Sequence, residues 1–101
     1  MYQSKMKSEE TDSLYRAILS LKTGEECYRF FDDLCTISEI RAMSQRLQVA
    51  QMLREGRTFT QISEETGVSS ATITRVNRCL SYGADGYRTV LDRLDEGKKK
   101  G

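Results

Sequence analysis

Arg75 and Arg78 stand three residues apart, just after a run of small hydroxyl and methyl side chains: Ser69, Ser70, Ala71, Thr72 and Thr74. No member of that set can act as a nucleophile with a base beside it. What the set can do is make hydrogen bonds from a surface. A guanidinium is a planar fork of donors, matched to the O6 and N7 edge of guanine or to a phosphate. Hydroxyls reach base edges and phosphate oxygens, and a methyl group can touch the methyl of thymine. Small side chains at the start of such a row also permit close approach.

Other chemistries have less to stand on. Histidine, tryptophan and proline are all absent from the 101 residues. Without histidine the chain lacks the commonest general base and the commonest metal ligand. Cys27, Cys35 and Cys79 are spaced by eight and by forty-four residues, which is no zinc or redox spacing, and they read as reduced, small core side chains. Asp92 and Asp95 on a terminal helix read as solvated carboxylates. No catalytic constellation and no metal cluster emerges, so the expectation is a protein that is not an enzyme and carries no cofactor.

The elements that must hold the arginine row can be read from local signals. Thr58 and Gln61 have the spacing of a capping box and predict a short helix from Phe59 to Thr66, with Ile62 turned inward. Gly67 suits a left-handed turn, Val68 plugs the angle, and Ser69 caps a second helix whose buried stripe is Ile73, Val76 and Leu80. That is a helix-turn-helix, over about residues 58–82. With ~100° per residue and Ile73 set at zero, Ala71, Arg75, Arg78 and Tyr82 fall within about forty degrees of the opposite pole. Arg75, Thr74 and Ala71 are expected to read bases, while Ser69, Ser70, Thr72 and Arg78 hold phosphates.

Upstream, residues 1–11 read as a polar arm. Leu14, Ala17, Ile18 and Leu21 then recur at helical spacing, and Thr23-Gly24 is expected to stop that helix. A second helix runs from Glu25 to about Leu34, with Cys27, Phe30, Phe31 and Leu34 on one side. A third follows Thr36, with a stripe of Ile40, Met43, Leu47, Ala50 and Leu53 widened by Val49, and ends at Gly56. Adjacent Phe30 and Phe31 point about 100° apart, so one seam cannot bury both, and a partner chain is expected to cover them. Gly83 and Gly86 bracket a loop. Tyr87, Val90, Leu91 and Leu94 make a final helix, followed by a basic tail over 97–101.

Charge sharpens the expectation of a pair. Sixteen basic residues face fifteen acidic ones, a net of +1. Residues 35–57 set Arg41, Arg46, Arg54 and Arg57 against Glu39 and Glu55, a net of +2, while residues 58–83 balance Arg75 and Arg78 against Glu64 and Glu65. One chain has few cations to neutralise phosphates, so two acting together are expected. With no apolar leader and no long apolar run, a cytoplasmic protein without a membrane partner is expected.

The run ATITR, Ala71 to Arg75, placed after the Gly67 turn and followed by Leu80, resembles the reading head of the tryptophan repressor superfamily. The similarity reaches upstream through Thr36, Arg46 and Gly56 and covers about residues 14–94. The segment YGADGYRTVLDRL resembles the branch of that family called the YerC/YecD type. The resemblance implies an all-α fold of about six helices with a central helix-turn-helix, over residues 12–96, in an intertwined homodimer. It also implies paired heads that meet successive major grooves of double-stranded DNA, ~34–36 Å apart as in dimers of this kind.

In that family the corepressor tryptophan lies between two arginines, and the matching positions are Arg46 and Arg75, with Thr36 as a polar pocket residue. Val76 stands where the repressor has glycine, and Cys79 where it has a serine that helps to hold the ligand's amino group. Valine adds bulk beside the indole slot and cysteine is a weak hydrogen-bond partner, so tryptophan is not the expected effector. The expected function is a sequence-specific transcriptional regulator, in the manner of a repressor, on a two-fold related operator. Two alternatives stand beside it: a helical protein-interaction module, and a regulator that senses another small molecule.

Overall fold

The computed structural model describes residues 2–100, with side chains as far as Lys98. Within them lie six α-helices and no strand: α1 (Glu9–Leu19), α2 (Gly24–Leu34), α3 (Ile37–Arg54), α4 (Phe59–Thr66), α5 (Ser70–Tyr82) and α6 (Gly86–Lys100). The chain divides into two compact units, Met1–Ile37 and Ser38–Gly101.

In the first unit the helices are set by their caps. Ser8 accepts a hydrogen bond from the Thr11 amide, and Glu9, Glu10 and Asp12 lie in the first turn, where carboxylates favour the positive end of the helix. The helix therefore begins at Glu9, before the apolar repeat does, and residues 9–11 are not part of an arm. The turn also falls elsewhere than the sequence suggests. Leu19 is the last residue of α1, Ser20 closes the helix, and Thr23-Gly24 starts the next one. The Thr23 hydroxyl accepts from the Glu26 amide at 3.1 Å, while the Glu26 carboxylate accepts from the Lys22 amide at 2.8 Å. Neither α1 nor α2 has a buried residue. Phe30 and Phe31 pack edge to face, 5.6 Å between centroids, and remain half-buried.

The second unit holds the core: Val49, Ala50, Met52, Ile62, Val68, Ile73, Val76 and Leu91, with Leu47, Leu53, Leu80 and Tyr87 packed against it. Only the C-terminal half of α3 contributes. Met43, expected in the stripe, is exposed in the single chain, and Met52 takes an unexpected place. Gly56 ends α3 with φ of 87°, the Gly56 amide bonding to the Leu53 carbonyl and the Arg57 amide to that of Met52, which completes a Schellman cap. At the far end, α6 runs on through Gly97 and Lys98 rather than releasing a tail. The Lys99 and Lys100 side chains of the expected basic tail lie outside the described residues. Of the three cysteines, expected in the core, Cys27 and Cys79 are exposed and Cys35 is half-buried.

Candidate nucleic-acid interface

The α4–turn–α5 segment forms as its local chemistry dictates. The Thr58 hydroxyl accepts from the Gln61 amide at 3.1 Å, and the Gln61 side chain accepts from the Thr58 amide at 3.0 Å, a reciprocal capping box. Ile62 is fully buried. Gly67 takes φ of 74°, a left-handed value that costs a side-chain-bearing residue more than glycine, and its amide closes onto the Ser63 carbonyl at 2.8 Å. Thr66 secures the turn from both sides: its hydroxyl donates to the Ile62 carbonyl and accepts from the Val68 amide. Ser69 then caps α5, accepting from the Thr72 amide at 3.3 Å.

On α5, Ile73 and Val76 are buried, and Leu80 packs beside them. Their burial turns the opposite side outward: Ser70, Ala71, Thr74, Arg75 and Arg78 are all exposed, and Tyr82 is 88 % exposed at the end of the row. Among the described residues, no carboxylate pairs with Arg75 or Arg78. Both guanidiniums are thus available for an outside partner. Thr72 differs from its neighbours. It is half-buried, its amide bonds to Ser69, and the Ser69 hydroxyl donates to its oxygen at 3.2 Å, so this pair holds the tip of α5 together.

The basic helix that precedes the motif keeps less free charge than the sequence suggests. Arg54 pairs with Asp92 and, at 3.5 Å, with Asp95, which ties α3 to α6. Donating a hydrogen bond to Asp92 raises the affinity of that guanidinium for its proton further still. Arg57 pairs with Glu65 of α4. On the other flank, Arg88 donates from Nε to the Leu80 carbonyl at 3.0 Å, which satisfies an acceptor near the C-terminus of α5. None of these three roles was visible in the sequence, because each partner lies eight or more positions away.

The expected pocket residues are divided between the two units. Thr36 belongs to the first unit, whereas Arg46, Arg75, Val76 and Cys79 belong to the second. Arg46 is half-buried on α3 and Arg75 and Cys79 are exposed on α5. Val76 is 1 % exposed, its side chain committed to the core. A separate shallow cleft of about 400 Å³ lies between α3, α5 and α6, lined by Leu53, Arg54, Asn77, Leu80, Arg88 and Asp92. Its charged groups are largely engaged with one another or with backbone.

A capped pair of helices joined at a left-handed glycine, with a buried inner stripe and an exposed arginine row, defines a helix-turn-helix protein. The chain belongs to the Trp repressor protein family, whose model matches residues 9–95. It is 59 % identical over 96 residues to the protein YerC of Bacillus subtilis (strain 168), an alignment that covers 95 % of this chain and 92 % of that one. Its fold is similar to that of a TrpR-like protein from Eubacterium eligens, with a TM-score of 0.86, 56 % identity, and coverage of 90 % of this chain and 94 % of that one. It is also similar to a putative Trp repressor from Staphylococcus aureus, at a TM-score of 0.86, 52 % identity, and 90 % and 91 % coverage. Among the described residues, no helix is long and apolar enough to cross a membrane.

Proposed function

We propose that the chain is a sequence-specific DNA-binding transcriptional regulator that acts as a homodimer on a two-fold related site, in the manner of a repressor. The observation that carries this reading is the unpaired Arg75 and Arg78 on the exposed side of α5, behind a tip of small side chains. Ala71, Thr74 and Arg75 are the base readers in this reading; Ser70 and Arg78 face phosphates, and Ser69 and Thr72 shape the tip. Membership of the Trp repressor protein family supports it. The homodimer is supported by the apolar surface that one chain leaves open, including Leu19 at 82 % and Ile37 at 76 % exposure. Selection of bound sequences from random duplex DNA tests the reading. A palindrome with two half-sites is expected, and an absence of any enriched sequence would contradict it.

Tryptophan has no part in this proposal. Val76 fills by packing the position at which a ligand would need room, so the head is set without an effector. Calorimetry should give no binding heat with tryptophan. A micromolar, one-per-chain heat would overturn the ligand-free setting while leaving DNA binding intact.

A further inference from the structure

The reading head needs an orientation as well as a surface, and one residue connects it to the helix before it in two ways. The Arg57 amide bonds to the Met52 carbonyl, which makes its backbone part of the cap that ends α3. Its side chain crosses to Glu65 in the last turn of α4. Thr58, the next residue, is already the cap of α4. The joint between α3 and the cap of the head is therefore three residues long, Glu55, Gly56 and Arg57, and the Arg57 side chain closes it into a loop. Gly56, at φ of 87°, gives the turn itself, but a turn alone fixes the rotation of α4 less firmly than a second tie does.

Charge makes the same pair matter twice. Glu64 and Glu65 are the only charged residues of α4, and both are acidic. A carboxylate near a phosphate backbone opposes binding, and pairing with Arg57 offsets one of the two. Both partners remain partly exposed, so the pair is open to screening by salt and adds little to overall stability. Its effect falls on orientation.

We infer that Arg57 is a positioning residue of the reading head: by pairing with Glu65 it sets how α4, and with it α5, leans from the end of α3. This inference rests on the proposed DNA reading only for its functional consequence, because the tie itself can be measured without DNA. The experiment compares the full chain with Arg57→Gln, Glu65→Gln and the charge-swapped double variant Arg57→Glu/Glu65→Arg. Two readouts are taken: amide hydrogen exchange, and affinity for the duplex that the unaltered chain selects.

Each single variant should speed exchange of the α4 amides relative to those around Val49, on the order of two- to five-fold, the factor that an exposed ion pair supports. The double variant should restore the slower rate. On DNA, Glu65→Gln is the informative change. It removes one negative charge, so a pure charge account predicts tighter binding, whereas positioning predicts weaker binding to the selected site. Unchanged exchange at α4 in both single variants, or failure of the double variant to restore it, overturns the inference. So does tighter specific binding by Glu65→Gln. If the unaltered chain selects no duplex, the DNA reading fails, and the exchange arm still decides whether Arg57 holds α4.

Discussion

The two short helix pairs of this chain, α1–α2 and α4–α5, start in the same way and differ inside. Ser8, Thr23, Thr58 and Ser69 each cap a helix with a hydroxyl that accepts an amide from the first turn. Yet α1 and α2 bury no residue, while α4, α5 and their turn bury Ile62, Val68, Ile73 and Val76. Capping decides where a helix begins; burial of an apolar face decides whether a pair of helices can stand without help. The α4–α5 pair has α3 and α6 of its own unit to complete a core. The α1–α2 pair leaves Leu19, Tyr28 and Leu34 exposed, the surface that the proposed second copy would cover.

That contrast can be broken from either side. The largest effect should come from Ile73→Ala, which removes a fully buried side chain from the second unit and should cost about 2–5 kcal/mol in urea unfolding. A loss below about 1 kcal/mol would mean that the core does not depend on α5. For the first pair, the informative variable is protein concentration. If a second copy covers α1 and α2, each tenfold rise in concentration should add about 1.4 kcal/mol of stability per dimer. Phe31→Ala should weaken the pair and shift that dependence to higher concentration. A melting temperature independent of concentration would show that the exposed face of α1–α2 is not covered in this way.

Two glycines give the smallest effects, with opposite signs. Gly67→Ala places a β-carbon at φ of 74° and should cost about 1 kcal/mol, although no atom lies within 4 Å of that carbon. Gly24 lies in the first turn of α2 with open space around it, so Gly24→Ala should stabilise by roughly 0.5 kcal/mol. Thermal unfolding of both variants checks the pair. Equal shifts would contradict the assignment of one glycine to a turn and the other to a helix.

The reading head was the most legible part of the sequence because its signals are local. The Thr58–Gln61 spacing, Gly67 and Ser69 each act within four residues, and the observed caps and turn fall where those residues put them. Less was legible where a partner was distant or a local signal had two meanings. Thr23-Gly24 resembled a helix stop, but Ser20 had already closed α1, and the hydroxyl that suits a stop equally suits a start. The charge of residues 35–57 was countable, yet nothing local showed that Arg54 would go to Asp92 and Arg57 to Glu65. Met43 fits the helical repeat of α3, but the core of the second unit covers only the later turns of that helix. Of the residues expected at the surface of the head, Ser70, Ala71, Thr74, Arg75 and Arg78 are exposed on α5, while Thr72 is turned to support Ser69.

Binding of Arg75→Ala and Arg78→Ala to the selected duplex and its single-base variants tests most directly whether α5 reads DNA through Arg75, as proposed. Arg75→Ala should weaken specific binding by ~1–3 kcal/mol and relax base choice at one position in each half-site, whereas Arg78→Ala should weaken all sequences alike and flatten the salt dependence. Unchanged affinity and base preference in Arg75→Ala would contradict the account.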